Sequence, residues 1–413
     1  MNLAIAITLG AAAGAALGWL GWRRPSALLA IVLASFAIGP QWILASYLPR
    51  SLLALALPAQ KALLLAAVAA NVVRFGVRRD VASWPLLAVV VLAAQSVTLA
   101  DLDPRLTPSV MAFAALDLAL PWSLVHLVAA PGSRARYALL LALLAAACVA
   151  AGLVLHLLEV RGLYFGSTTR GLRLHGASNA GWLACLAFAG FGIALHEAVR
   201  RRDPGFACLA AGNALIAVLT GGRMGVGACL VLALAYLVFA LPAQPRITRV
   251  GTVALGIGAV LGLLLVSASL VRGYHAGRLE DVFSLTGRDT IWARYFEQFL
   301  GYPIFGRGLG AGAVGASYYD LPHNDYLRLL VEGGVFGLAI YGAAVLLWGR
   351  RVIALVAPGE RPFVRALFLA LAVYALTDNI LTMVPALVPF VYLALILGEP
   401  EVARPDPPRS KPA

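Results

Sequence analysis

The residues best placed to do chemistry stand together in Tyr318-Tyr319-Asp320-Leu321-Pro322-His323-Asn324-Asp325-Tyr326-Leu327, a polar cluster around one histidine. A neutral imidazole can take a proton from a hydroxyl near neutral pH, so His323 is a candidate general base. A lone histidine more often does no more than bond a loop carbonyl. Here Asn324 and Asp325 follow directly, two tyrosines precede, and an apolar run continues from Arg328 to Trp348. A helix entering a bilayer does not need a His-Asn-Asp triplet at its lip, and that placement favours function.

Arginines form the second group. Arg170 and Arg173 lie in Ser167-Thr168-Thr169-Arg170-Gly171-Leu172-Arg173-Leu174-His175-Gly176, Arg223 ends Leu219-Thr220-Gly221-Gly222-Arg223, and Arg288 stands in Leu285-Thr286-Gly287-Arg288-Asp289. Guanidinium forks match phosphate oxygens in two-point contacts, so several around one cavity would hold a diphosphate. For any single arginine the plainer reading is a side chain reaching up to lipid headgroups, and it is preferred for Arg50, Arg105 and Arg272. Arg223 is harder to dismiss, because the two glycines beside it let a ligand or another backbone come close.

Other patterns are weaker. Gly310-Ala311-Gly312-Ala313-Val314-Gly315 fits G-x-G-x-x-G but has no βαβ context, and a glycine-rich hinge is the better reading. Asp101 and Asp103 form a D-x-D before Pro104, where a solvated turn is favoured over a metal site. Lys61 and Asp117 fall within apolar spans, where ionisable groups are functional hypotheses by default; they either pair with each other or face a wet cavity. His126, His156 and His196 sit near span ends without an evident partner. Cys148, Cys185, Cys208 and Cys229 all lie in apolar runs and read as packed thiols rather than a disulfide or zinc framework.

The elements that must position these residues are membrane spans. The chain has 413 residues, is 61% hydrophobic and only 12% charged, more apolar surface than a soluble protein of this length can hide. Spans are expected near 3–22, 26–48, 51–73, 82–100, 109–130, 137–158, 177–199, 206–221, 224–243, 250–271, 327–349, 363–381 and 384–398. The last two are short and could form one broken unit, which gives about 12 or 13 spans. The segment from Met1 to Trp22 lacks a basic leader and is read as the first span rather than a cleaved signal. The expected fold is all-α: one helical membrane domain over 1–398, followed by a disordered cytoplasmic tail at 399–413 rich in Pro and charge.

The net charge of +13 is distributed as topology, not as a nucleic-acid stripe. Nineteen basic residues, among them Arg23, Arg24, Arg74, Arg134, Arg200, Arg350 and Arg361, fall on one side of the expected spans and twelve on the other. The richer side is cytoplasmic by the positive-inside rule. Arg170, Arg173, Arg223, Arg288 and His323 then share the outer face, with the two long loops 159–176 and 272–326. Loops of that length are usually functional. Within the second, Asp289 to Leu300 places Ile291, Tyr295 and Phe299 on one helical face with Trp292 and Phe296 beside them. The spacing predicts an amphipathic helix on the membrane surface or over a cavity.

With these residues in view, a resemblance can be stated. Pro322-His323-Asn324-Asp325-Tyr326-Leu327, followed by Leu330-Val331-Glu332-Gly333-Gly334-Val335-Phe336-Gly337-Leu338, closely resembles the signature of the O-antigen ligase and O-antigen polymerase family. Arg173-Leu174-His175-Gly176 with Asn179 resembles the family's Arg-x-x-Gly segment. Thr220-Gly221-Gly222-Arg223 is similar to its Thr-x-Ser-Arg segment, with Gly222 where serine is usual. Thr286-Gly287-Arg288, then Trp292, then Pro303-Ile304-Phe305-Gly306-Arg307-Gly308 resembles its Gly-Arg…Trp…Pro-x-x-Gly-x-Gly run. The likeness covers roughly 170–340; elsewhere only the hydropathy agrees.

The resemblance implies a GT-C-like, inverting glycosyltransferase, free of metal and cofactor, in the bacterial inner membrane with its site facing the periplasm. The implied donor is a glycan on undecaprenyl diphosphate and the implied acceptor is the lipid A–core. A second lipid-linked glycan would make the protein a polymerase instead, and a transporter of lipid-linked oligosaccharide is the non-enzyme alternative. Membrane lipids surround such a protein, and nucleic acid is not among its expected partners. On this reading His323 is the base, Arg173 and Arg288 hold the diphosphate, and Arg223, Arg170, Asn324, Asp325 and Asn179 contact substrate. Asn324 or Asp325 would orient the imidazole, and the sequence does not choose between them.

Overall fold

The computed structural model describes residues 19–20, 23–39, 43, 50–78, 80–81, 83–99, 106–127, 134–167, 171–240, 288–312 and 321–399. All but residues 19–20 of the span expected at 3–22, the span expected at 250–271, Asp101, Asp103, Arg170, Tyr318, Tyr319 and all of the tail beyond Glu399 lie outside them. Within them the chain is helical, as its hydropathy predicts. The helices are α1 (Pro25–Ile38), α2 (Arg50–Phe75), α3 (Trp84–Leu99), α4 (Pro108–Ser123), α5 (Arg134–Leu157), α6 (Ala180–Arg201), α7 (Pro204–Leu219), α8 (Arg223–Ala240), α9 (Arg288–Gly301), α10 (Asp325–Leu355), α11 (Arg361–Ala375) and α12 (Val388–Gly398). Five are long and apolar enough to cross a membrane, counting α4 together with the short turn that extends it to His126.

Local chemistry sets the helix ends. Thr107, Asn179, Asp203 and Asn324 each accept a backbone N–H in the first turn of α4, α6, α7 and α10. Pro108, Pro204 and Pro362 occupy first-turn positions, where no N–H is needed. The loop at 158–179 is not all irregular. Tyr164–Ser167 (β1) and Gly171–Leu174 (β2) form an antiparallel hairpin, with Phe165 opposite Arg173. Helical periodicity alone gave no sign of it.

Helix α6 is the centre of the bundle: 15 of its 22 residues are buried, too many for a helix that faces lipid along one side. It packs on α5, α7 and α8, while α8 packs on α11 and α10 on α3. At the end of the bundle away from His323, Arg134 at the start of α5 ties three elements together. It reaches Glu197 on α6 at 2.8 Å, Glu360 in the α10–α11 turn at 3.0 Å and Glu399 after α12 at 2.9 Å. His196 joins the same cluster, with Nδ1 3.0 Å from the Tyr392 hydroxyl and Nε2 2.9 Å from Glu360.

Helix α10 is broken at Gly334, whose φ of 66° and ψ of −167° are not helical. The segment after α9 fills the break. Val335 donates its N–H to the Pro303 carbonyl at 2.9 Å and Phe336 to Ile304 at 3.1 Å, while Arg307 and Gly308 donate to the carbonyls of Val331 and Glu332 at 2.9 Å. Backbone groups freed by a break inside a membrane must find protein partners, and this segment supplies them. A Cβ on Gly334 would collide with the Ile304 carbonyl oxygen, so both the conformation and the close approach require glycine.

Candidate active site

Helix direction gathers the site at one end of the bundle. The contacts show it: Arg173 before α6 reaches Thr220 at the end of α7, Cys185 near the start of α6 shares a hydrogen bond with Tyr374 near the end of α11, and His323 before α10 meets Asp378 after α11. Arg173, Arg223, Arg288 and His323 are therefore at the same end, the arrangement expected from the charge pattern.

His323 immediately precedes Asn324, the capping residue of α10. Its φ is 45°, in the left-handed region, a conformation that costs about 1–2 kcal/mol in residues other than glycine. Its side chain is 27% exposed, and Nδ1 lies 3.0 Å from Oδ1 of Asp378. With the Asp378 carboxylate accepting a proton from Nδ1, Nε2 would keep its lone pair, the tautomer a general base requires.

That partner corrects the expectation that Asn324 or Asp325 orients the imidazole. Each side chain accepts a backbone N–H instead. Asn324 Oδ1 accepts the Leu327 N–H at 3.0 Å and caps α10. Asp325 is only 2% exposed, and its Oδ2 accepts the Leu381 N–H at 3.0 Å. Asn179 likewise caps α6 by accepting the Trp182 N–H at 2.8 Å. These contacts give all three a local structural task, beside the substrate contact the sequence suggested. Asp378 itself was missed because hydropathy absorbs it into the span expected at 363–381. The signal was the polar run Thr377-Asp378-Asn379, which interrupts two apolar segments. In the structure α11 ends at Ala375 and α12 starts at Val388, with this run in the break between them.

The same break receives Arg288. From the first position of α9 its Nη1 donates to the Thr377 carbonyl, one residue before the carboxylate that holds His323. Arg173, on β2, donates from Nε to the Thr220 carbonyl at 2.7 Å and lies along Gly221 and Gly222. Arg223 follows directly, exposed at the first turn of α8. Helix α6 stands between the two groups. Ala184 lies against Gly222 and Gly225, and the next residue, Cys185, shares a hydrogen bond with Tyr374, one turn before Asp378. At position 222 a Cβ would lie tightly against Ala184 and Thr220 Oγ1, at 3.0 Å each.

Two arginines and a histidine crowd the base of the hairpin. Burial, then the nearby guanidinium groups of Arg161 and Arg173, push His175 down to about 4. It is therefore neutral at physiological pH, and the local positive charge belongs to the arginines. Arg161 is anchored by donating to the Ser178 carbonyl at 2.5 Å.

The two ionisable residues inside the spans pair with each other, as one of the two sequence readings had it. Lys61 on α2 is hydrogen-bonded to Asp117 on α4. Asp117 also faces Arg328 at 3.8 Å, and Arg328 contacts Glu332 at 3.0 Å. The result is a chain of four alternating charges beneath the lip. Among the described residues no three His, Cys, Asp or Glu side chains gather as metal ligands.

Residues 205–342, a third of the chain, match the family described as O-antigen ligase. The matched segment runs from α7 into α10 and contains Arg223, Arg288 and His323, whereas Arg173 and Asp378 lie outside it. A search of curated proteins gave no match. The likeness to the O-antigen ligase family thus falls on the segment that holds His323 and two of the three arginines.

Proposed function

We propose that the protein transfers an O-antigen-type glycan from undecaprenyl diphosphate to the lipid A–core at the outer face of the inner membrane. The observation that carries this reading is the His323–Asp378 pair at 3.0 Å, set beside Arg288 on adjacent residues of one break. An acceptor sugar hydroxyl approaches Nε2 of His323. As its oxygen bonds to the anomeric carbon, the bond from that carbon to the diphosphate oxygen breaks and the hydroxyl proton passes to Nε2. Attack from the face opposite the leaving group inverts the anomeric centre.

The leaving diphosphate is a good one once its charge is met, so electrostatic stabilisation is the larger protein contribution. Arg288, Arg173 and Arg223 supply it, and Arg223 adds the partial positive charge of the α8 N-terminus. General-base assistance from His323 adds about 100- to 10,000-fold.

The test is the lipopolysaccharide of a deletion strain complemented with variants. Loss of the protein should leave long chains on undecaprenyl diphosphate and bare lipid A–core, and His323→Ala should fail to restore the ladder while reaching normal membrane levels. A deletion strain whose lipid A–core carries a single repeat would make the protein a polymerase. A normal ladder with His323→Ala would overturn the base assignment.

A further inference from the structure

His323 occupies a left-handed backbone conformation, and such conformations persist only where surrounding contacts over-determine them. The peptide groups on its two sides are each held by one side chain from a different element. On the N-terminal side, the carbonyl of Pro322 accepts the indole N–H of Trp292 at 2.6 Å, reaching across from α9. On the C-terminal side, the N–H of Asn324 donates to Oδ1 of Asn379 at 3.1 Å, in the α11–α12 break.

Both clamping groups are themselves fixed. Trp292 packs on the small apolar cluster of Tyr295, Leu327 and Val331. Asn379 is 4% exposed, and its own N–H donates to Asp378 Oδ1 at 3.0 Å, the same oxygen that faces His323. One short run of backbone therefore sets both ends of the His323–Asp378 pair.

We propose that Trp292 and Asn379 are positioning residues that lock His323 in its left-handed conformation and so aim Nε2 at the acceptor hydroxyl. The inference rests on the reading of His323 as the base. Without either contact, His323 relaxes to negative φ, its Cβ swings to the other side of the chain, and the imidazole leaves Asp378. Neither residue needs to touch substrate for this.

The experiment measures transfer by purified protein from a lipid-linked glycan to its acceptor, comparing Trp292→Phe, Asn379→Ala, Asn379→Asp and His323→Ala. Trp292→Phe keeps an aromatic ring, though a smaller one, in the apolar cluster and removes the N–H. Trp292→Phe and Asn379→Ala should each lower kcat by about 10- to 100-fold, the scale of a misplaced catalytic group, with the donor KM little changed. Asn379→Asp keeps an acceptor oxygen and should recover most of the rate. Its added negative charge beside Asp378 favours the imidazolium, so the acid limb of the pH–rate profile should move to higher pH. Should Asn379→Ala fail to accumulate, Trp292→Phe decides alone. Wild-type kcat in these variants, or a loss confined to KM, overturns the clamp provided that His323→Ala is inactive. A fully active His323→Ala overturns the base reading instead.

Discussion

The carboxylate of Asp378 lies 3.0 Å from Nδ1 of His323, across 55 residues of chain. The contact fixes which ring nitrogen carries the proton, and Asp378→Asn reverses it. An amide that turns its NH₂ toward Nδ1 forces the proton onto Nε2, the position from which a base must act. Transfer should fall by about 1,000- to 10,000-fold, with the protein still folded. The check is single-turnover transfer by purified protein alongside its thermal melting curve. A loss below tenfold would mean that the carboxylate does not set the tautomer.

Much of this was legible from the residues themselves. Hydropathy located the helices, and the sorting of arginines placed Arg173, Arg223, Arg288 and His323 at one end. The apolar spacing from Ile291 to Phe299 gave α9. Asp378 was not legible, because a single acid within an apolar run reads as part of a span until the break between α11 and α12 is seen. The roles of Asn324 and Asn179 were hidden for another reason. A polar residue before an apolar helix is equally a cap or a ligand contact, and only the Leu327 and Trp182 amides reveal the cap. The hairpin at 164–174 is tied to the bundle by Arg173, which meets the Thr220 carbonyl 47 residues away, a contact that no local pattern encodes.

Arg288 and Arg223 should differ in how much they tolerate replacement by lysine. Arg288 donates from one nitrogen to the carbonyl of Thr377, the residue before the Asp378 that pairs with His323. Lysine keeps the charge but cannot hold a carbonyl and a phosphate in one fixed plane. Arg288→Lys should therefore lower kcat/KM by about 100-fold, the scale of one lost transition-state donor. Arg223, exposed at the start of α8, contributes charge more than geometry, and Arg223→Lys should retain most activity. Equal losses in the two variants would argue against a fork at Arg288.

The four-charge chain beneath the lip should show its pairing in double variants. Asp117 lies between Lys61 and Arg328, so Asp117→Leu leaves two buried cations without their shared anion. Breaking a buried pair from one side costs about 3–5 kcal/mol, whereas replacing both partners by apolar residues is often near neutral. Lys61→Met combined with Asp117→Leu should thus melt closer to wild type than Asp117→Leu alone, with Arg328 still held by Glu332 at 3.0 Å. Melting of the detergent-solubilised protein reads this directly. Additive losses in the double variant would show that the two residues act independently.

His175 should make the protein acid-sensitive in a defined window. Burial, with Arg161 and Arg173 beside it, holds its folded-state value at about 4, below the ordinary 6.5. Between these two values the unfolded chain binds a proton that the folded protein does not, so stability rises with pH across the window. The contribution is complete above about 6.5, declines as pH falls toward 4, and is gone below it. His175→Gln removes the titration while keeping a polar side chain of similar reach. Its melting temperature should change less between pH 7 and pH 4 than that of the wild type. An unchanged acid slope would mean that His175 is protonated in the fold, and the charge at the base of the hairpin would then be shared by three cations rather than two.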